Sequence, residues 1–413
     1  MIFTLNDGRR PLQAPGLPTG VEPMQDPLMA SDAGTIVEVG HVVGRVSEVD
    51  PGGRYVAVAR GGIVTVHDAD AGLNAVMSCA PTEPFHQLAV HPGGESIAVL
   101  GGEGLTVELW RSDGTVQRLP DREAERDGAA DKGRRGSSAF DWAERGWLQF
   151  TADGEYLIFG ESSPEGRARL HLLDAATLAR IDDVSTLQSA TGDVLLEDWG
   201  EGVVAGCAAA PSTAVAFAAC SGDDTVVLAV AEVVEDRLRL YGAVPGQTPL
   251  AGGIPGERVM GLALPASGEL VVLDSDEFLS AIHLRDPAAG TRCMTSGRWL
   301  LRGHDGESLP LLATRYGALG AGDLTIGLNG PLFTRGRLLA MAVEKERRIA
   351  GGWDWRTVGL VFLDVQTGQW LDFLELPGTE HHERVLIDNG ILYQNGEERT
   401  KILRWLPPSE FGA

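Results

Sequence analysis

The side chains best suited to chemistry lie in a few short stretches. His381-His382 stands between Glu380 and Glu383. Imidazoles and carboxylates are both metal-ligand types. Adjacent residues of a strand point to opposite faces, so two neighbouring rings rarely reach one ion. The stretch therefore reads as a solvated connection. Asp274-Ser275-Asp276-Glu277 carries oxygen ligands of the kind Ca²⁺ takes. It lacks the loop length and ligand number of a Ca²⁺ cage and reads as a hairpin turn, as does Asp223-Asp224. Trp353-Asp354-Trp355-Arg356 follows Gly351-Gly352 in what reads as a connecting stretch. Trp and Arg dominate binding hot spots, so Trp353, Trp355 and Arg356 are the first candidates for partner contact. Arg134 and Arg135 are the second. Their neighbours Glu125, Asp127 and Asp131 balance the charge and suit a solvated loop.

Catalytic signatures are missing. The chain has no His-Glu-x-x-His zinc helix and no Gly-x-Ser-x-Gly elbow. No phosphate-cradling loop follows a strand. Cys79, Cys207, Cys220 and Cys293 form no Cys-x-x-Cys pair, which argues against a zinc or redox motif. A turn centred near Thr213 would bring Cys207 close to Cys220 across a hairpin. Both read as buried thiols of a reducing cytoplasm. No catalytic residue, metal site or cofactor is expected from these patterns.

The elements that must carry these residues repeat. A polar turn precedes a short apolar strand, and a second turn leads to a second strand ending near Asp or a small residue. One copy is Asp50-Pro51-Gly52-Gly53, then Tyr55 to Ala59, then Ile63 to Asp68. The next runs from His91-Pro92-Gly93-Gly94-Glu95 through Ile97 to Leu100, then Leu105 to Trp110. Further copies lie at Leu148–Asp174, Val215–Tyr241, Met260–Asp286, Pro331–Gln369 and Val385–Trp405, seven in all. Their starts are spaced unevenly, about 40 to 70 residues apart, against the roughly 40 to 50 of a four-stranded repeat. The longer gaps must hold insertions. Replacing Gly93 with Val is expected to destabilise if that turn needs φ > 0.

A small sheet with apolar residues on both faces cannot bury them alone. Stacked around an axis, each sheet covers its neighbours and only short edges remain. The turn His91-Pro92-Gly93-Gly94-Glu95, followed by a strand closing on Leu109-Trp110, resembles the WD-repeat and related β-propeller families. Gly40-His41 and Gly303-His304 match the Gly-His that opens such repeats. The one Trp-Asp, Trp353-Asp354, closes no unit in register. The resemblance implies an all-β fold, a seven-bladed β-propeller of four-stranded antiparallel blades, closed by pairing between the chain's two ends. Residues 1–35 are expected to be a surface arm, part of which could complete the last blade. Residues 36–413 are expected to form one propeller domain, with an insertion loop at 121–140. Pro287–Asn329 is poorly patterned, with strands expected near Trp299-Leu300-Leu301 and Leu311-Leu312.

Composition narrows the role. The chain has 413 residues, with 34 Lys+Arg against 58 Asp+Glu, a net charge of −24. Such a field opposes polyphosphate, so nucleic acid is not an expected partner. An anionic membrane surface is disfavoured for the same reason. The uncharged run worth testing as a membrane span, Val203–Cys220, has Pro211-Ser212-Thr213 at its middle and reads as two strands and a turn instead. No leader peptide is evident at Met1–Pro11. The expected role is a non-catalytic, cytoplasmic scaffold mediating protein–protein interactions, a subunit of a larger assembly. Two alternatives use the central channel: a metal-dependent propeller hydrolase or lactonase, and a small-ligand sensor.

Overall fold

A strand such as Ser96–Gly101 is buried at every position, and so needs cover on both faces. The chain meets that need seven times. The computed structural model describes residues 34–101, 106–119, 146–162, 168–189, 192–196, 202–207, 212–221, 224–243, 259–265, 268–274, 278–284, 291–296, 324–349, 352–368, 370–376, 385–395 and 399–407. The chain divides into two units, Met1–Ser31 and Asp32–Ala413, and all described residues belong to the second. No helix occurs among them.

Blade 1 is the meander β2(Arg45–Val49), β3(Tyr55–Arg60), β4(Ile63–Asp68) and β5(Asn74–Cys79). Blade 2 is β6(Phe85–Val90), β7(Ser96–Gly101), β8(Thr106–Arg111) and β9(Val116–Arg118). Blade 3 is β10(Trp147–Phe150), β11(Tyr156–Ser162), β12(Ala168–Asp174) and β13(Arg180–Val184). A hairpin, β14(Thr186–Ser189) and β15(Gly192–Leu195), precedes blade 4, which is β16(Gly202–Cys207), β17(Ala214–Ser221), β18(Asp224–Val234) and β19(Arg237–Ala243). Blade 5 is β20(Val259–Ala263), β21(Leu270–Asp274), β22(Phe278–Ile282) and β23(Thr291–Ser296). Blade 6 is β24(Leu324–Arg335), β25(Leu338–Ile349), β26(Gly352–Asp364) and β27(Trp370–Glu375). Blade 7 is β28(Leu386–Asp388), β29(Ile391–Asn395) and β30(Arg399–Leu406), completed by β1(Thr35–Val43).

The ring closes where β1 pairs antiparallel with β30, Ile36 opposite Trp405 and Val42 opposite Thr400. The core is not one mass but seven layers, each between two consecutive blades. Alternation along a strand feeds two layers at once. Tyr55 and Ala57 face blade 2, whereas Val56 and Val58 face blade 7. Leu339, Met341 and Val343 face blade 5, whereas Leu338, Ala340 and Ala342 face blade 7. Trp405, on the closing strand, stacks on Phe362 at 5.1 Å and meets Phe333 edge-on at 5.5 Å. Seven layers for seven sheets leave no open seam. The chain is a seven-bladed β-propeller.

The blade pattern differs from expectation in one sheet. The β14–β15 hairpin joins blade 4 through a single parallel pair, Gln188 with Tyr241, to give a six-stranded sheet. Leu187 and Leu196 of this segment are buried between blades 3 and 4. The amide of Leu196 donates to the Ser185 carbonyl, and the Ala168 amide donates to that of Leu196. The hairpin is thus a wedge between two blades.

The pairing of Val203–Cys220 as two strands is as expected, but its register corrects one inference. Cys207 lies opposite Val215 and Cys220 opposite Gly202, at the two ends of the hairpin rather than side by side. Within Pro287–Asn329, β23 and the start of β24 are described, and the strands expected near Trp299 and Leu311 lie outside the described residues.

Candidate functional site

A four-stranded meander has two ends. The turns joining its first to second and third to fourth strands lie at one, which we call the near face. The turn joining its second to third strand lies at the other, the far face. The two are built differently.

On the near face the blades are tied to one another. Asp50 opens the β2–β3 turn and is buried. Its carboxylate accepts from the amides of Gly52 at 2.7 Å, Arg54 at 2.6 Å, and Tyr55. Burial pushes the Asp50 carboxyl above its ordinary value, outweighing those donors and the nearby Arg335. Arg335, at the end of β24, donates at 2.8 Å both to the Gly52 carbonyl of blade 1 and to the Asn389 carbonyl of blade 7. Asn389 Nδ2 in turn donates to the Asp50 carbonyl at 3.1 Å. Three blades thus meet at one point beside the ring closure. Gly53 sits there with φ +68°, and a Cβ would run into the Asn389 carbonyl oxygen.

The same face continues around the ring. His91 Nδ1 accepts from the Gly93 amide, which leaves Nε2 to donate to the Gly154 carbonyl of blade 3 at 2.9 Å. The Tyr156 hydroxyl donates to Asp236 of blade 4 at 2.6 Å, and that carboxylate first, with burial second, pushes the phenol up to about 12. Within blades, Arg54 binds Asp68 at 2.7 Å and Arg337 binds Asp364. Asp68, Asp174 and Asp364 each also accept backbone amides of the turn that follows. These repeated aspartates fix the exits of the third strands.

The turn His91–Glu95 corrects the expectation for Gly93. The residue at positive φ is Gly94, at +70°, and a Cβ there would meet the Tyr55 ring; Gly93 is not at positive φ.

The far face carries the variable parts. Blade 1 ends there in the bare turn Gly61-Gly62, with open space around both residues. Between the linker that leads into blade 2 and that blade's own strands lies a cleft of about 190 Å³, lined by Pro81, Thr82, Val99, Thr106, Glu108 and Arg118 among others. That is below the roughly 300–1,000 Å³ of small-molecule pockets. Buried Glu108 accepts from Thr82, from Trp110 Nε1 at 2.9 Å and from Arg118 Nε at 2.9 Å. Burial alone would raise its carboxyl, but these donors outweigh it and hold the group below the ordinary carboxylate value. The carboxylate is therefore held by the protein's own donors, as a structural brace.

Blade 6 differs most on this face. Its second and third strands are 12 and 13 residues long, against six each in blade 1. The inner half, Leu338–Val343 against Gly359–Asp364, belongs to the ring. The outer half, Glu344–Ile349 against Gly352–Thr357, carries on with Leu324–Gly327 as a third strand. Both ladders break register, the β25–β26 ladder at the junction of the halves and the β24–β25 ladder inside the inner half, opposite Ala340–Ala342. One break leaves Val358 as an extra residue, and the other falls between Asn329 and Phe333. The outer half is a ribbon that continues the blade's second and third strands beyond the ring. Six residues at about 3.3 Å each extend it roughly 20 Å. Buried Thr357 anchors its base: the hydroxyl donates to the Val385 carbonyl and accepts from the Val385 amide, both at 3.2 Å.

Trp353, Trp355 and Arg356 lie in this ribbon, not in a connecting stretch. Trp353 is opposite Arg348, Trp355 opposite Glu346, and Arg356 opposite Lys345. Glu344–Ile349 has no apolar alternation in sequence; the strand shows itself in its ladder. Arg134 and Arg135 lie outside the described residues, as do His381 and His382. Residues 275–277, between β21 and β22, do so too. Among the described residues no three His, Cys, Asp or Glu side chains are grouped to hold a metal ion. Burial, first, and Glu108, second, push the buried Cys79 thiol up to about 12. No helix among the described residues is long and apolar enough to cross a membrane.

Reasoning from sequence missed Asp50, Arg335 and Asn389. The Asp-Pro-Gly-Gly turn was a visible signal for the first. The other two had none, because their partners are remote in the chain.

Comparison with known proteins adds little. Among solved structures the chain is similar to the Dos1 propeller, with TM-score 0.46 and 13% identity over 87% of this chain and 78% of that one. It is also similar to the β-propeller domain of Cps50 (Swd1) from Myceliophteria thermophila, with TM-score 0.36 and 12% identity over 87% and 81% of the two chains. No family model matches the sequence, and no curated protein matches it. Neither structural likeness bears on function. The fold stands on the chain's own seven sheets.

Proposed function

We propose that this propeller is a non-catalytic platform that binds other proteins through its far face, as a cytoplasmic subunit of a larger assembly. The observation that carries the reading is the blade 6 ribbon. It extends strands past what ring closure requires, with a register break where it leaves the ring. It also contains Trp353, Trp355 and Arg356, residue types that dominate hot spots. A ring locked on the other face gives such a ribbon a rigid base, which limits the entropy lost on binding. Arg134 and Arg135 are proposed as a second contact. The net charge of −24 favours a protein over a nucleic acid as partner.

The test is a shortened chain in which Lys345–Arg356 is replaced by a Gly-Gly turn like that of blade 1, keeping the Glu344–Thr357 pair. Tagged wild-type and shortened chains are purified from their own cells, and the stoichiometry of each co-purifying protein is quantified. The reading expects a stoichiometric partner with the wild type that is lost from a shortened chain with an unchanged strand-type circular dichroism spectrum. Retention of every partner by the shortened chain would refute it.

A further inference from the structure

The ring closure carries a chemistry of its own. Asp388 pairs with Ile391, so Asn389-Gly390 makes the whole two-residue turn between β28 and β29. Both residues have positive φ, +46° and +86°, as a tight hairpin of this hand requires. Asn-Gly is also a dipeptide open to attack by its own main chain. The side-chain amide carbon of Asn can close a five-membered ring with the next backbone nitrogen, and Gly puts no Cβ in the way. The turn alone would accept Asp-Gly or Gly-Gly as readily. Asn389 is the choice that supplies Nδ2–H to the Asp50 carbonyl, at 3.1 Å.

The junction pins both halves of the reacting pair. The bond to Asp50 holds the side-chain amide. Arg335 holds the Asn389 carbonyl at 2.8 Å, and with it the peptide plane that contains the Gly390 nitrogen. The Gly53 backbone packs on the same oxygen, so closely that a Cβ there would collide with it. Ring formation needs the side chain and the peptide plane to turn towards each other, so both tethers must let go first.

We infer that Asn389-Gly390 is a self-modification site, kept unreacted by the closed ring and converted to aspartate or isoaspartate when the ring opens at this junction. The Gly390 nitrogen gives up its proton and bonds to Asn389 Cγ. The Cγ–Nδ2 bond breaks, and Nδ2 leaves as ammonia with that proton. Water then adds to either carbonyl of the succinimide and opens it. Neither product restores the junction. Aspartate has no N–H for the Asp50 carbonyl and sets a carboxylate against that oxygen. Isoaspartate lengthens the main chain by a methylene within a two-residue turn, which displaces the Asp388–Ile391 pair. Each conversion therefore records an opening of the ring and hinders the next closure.

The test follows residue 389 by peptide mapping and mass spectrometry while the full chain is incubated at mildly alkaline pH, with isoaspartate counted by enzymatic methylation. A synthetic peptide of residues 386–393 gives the untethered rate. Expected is conversion at least about ten-fold slower in the wild-type chain than in the peptide, and about ten-fold faster in Arg335→Met than in wild type. Asn395-Gly396, the same dipeptide beginning at the other end of β29, should gain less from Arg335→Met. Asn389→Asp makes one product directly, and should lower the melting temperature and speed hydrogen exchange in β1 and β30. Four results would overturn the inference: wild-type conversion as fast as the peptide's, no acceleration in Arg335→Met, an equal acceleration at Asn395, or an unchanged melting temperature for Asn389→Asp.

Discussion

On the near face, Arg335, Asn389 and Asp50 join three blades through backbone carbonyls, and His91 and Tyr156 carry similar ties onward to blades 3 and 4. On the far face, blade 1 stops at Gly61-Gly62 with nothing packed on it, whereas blade 6 runs on into a ribbon. Both faces belong to the same seven sheets and share the same layers of core. The difference lies in where the turns find their partners. Near-face turns are satisfied by other blades, so each is constrained by its neighbours. The far-face turn of blade 1, Gly61-Gly62, has open space around it, so such a turn can lengthen without disturbing the ring. A propeller of this kind varies on the side that does not hold it together.

The sharpest way to break that contrast is at Gly53. Gly53→Val should cost about 3–5 kcal/mol, from strain at positive φ and collision with the Asn389 carbonyl. Denaturant unfolding would show it as a lowered midpoint with an unchanged slope. Next is Arg335→Met. It leaves the Gly52 and Asn389 carbonyls without their donor and should cost about 1–3 kcal/mol. Hydrogen exchange should then speed first in the amides of β1 and β30, beside the same junction.

Acidification probes the contrast more gently. Arg54, first, holds the Asp68 carboxyl below its usual value, so the folded form binds that proton less tightly than the unfolded chain. Its stabilisation is full above the ordinary carboxylate value of 3.8 and is lost as pH falls through the lowered one. Asp50 has the opposite sign. Its raised value means that protonation on acidification favours the folded state. Melting curves from neutral pH to below pH 4 should therefore show a smaller acid loss for Asp68→Asn than for wild type. The smallest effect is expected on the far face. Gly61→Asn should change stability by less than about 0.5 kcal/mol, since Asn tolerates positive φ and no atom lies within 4 Å. A loss as large as that at Gly53 would erase the distinction between the faces.

The legible part of this architecture was the part paid for by burial. Strands such as Ile97–Leu100 and Leu270–Leu273 are apolar at consecutive positions because both faces pack, and that pattern marked all seven blades. The β14–β15 hairpin escaped because it is short, polar in part, and joined through one pair. The ribbon escaped for a related reason: Glu344-Lys345-Glu346-Arg347-Arg348 shows no apolar alternation in sequence. Gly93 and Gly94 were indistinguishable because either could supply the turn's positive φ; only the approach of Tyr55 separates them. The Asp50–Arg335–Asn389 junction depends on ring closure, which brings together residues far apart in the chain.

The most direct test of the account is a crosslinking map of the assembled complex, isolated with the wild-type chain and read by mass spectrometry. The account predicts that partner links concentrate on Lys345 and its ribbon, with far fewer to the near-face turns around Asp50, His91 and Gly154. Links concentrated on the near face, with the ribbon silent, would contradict it.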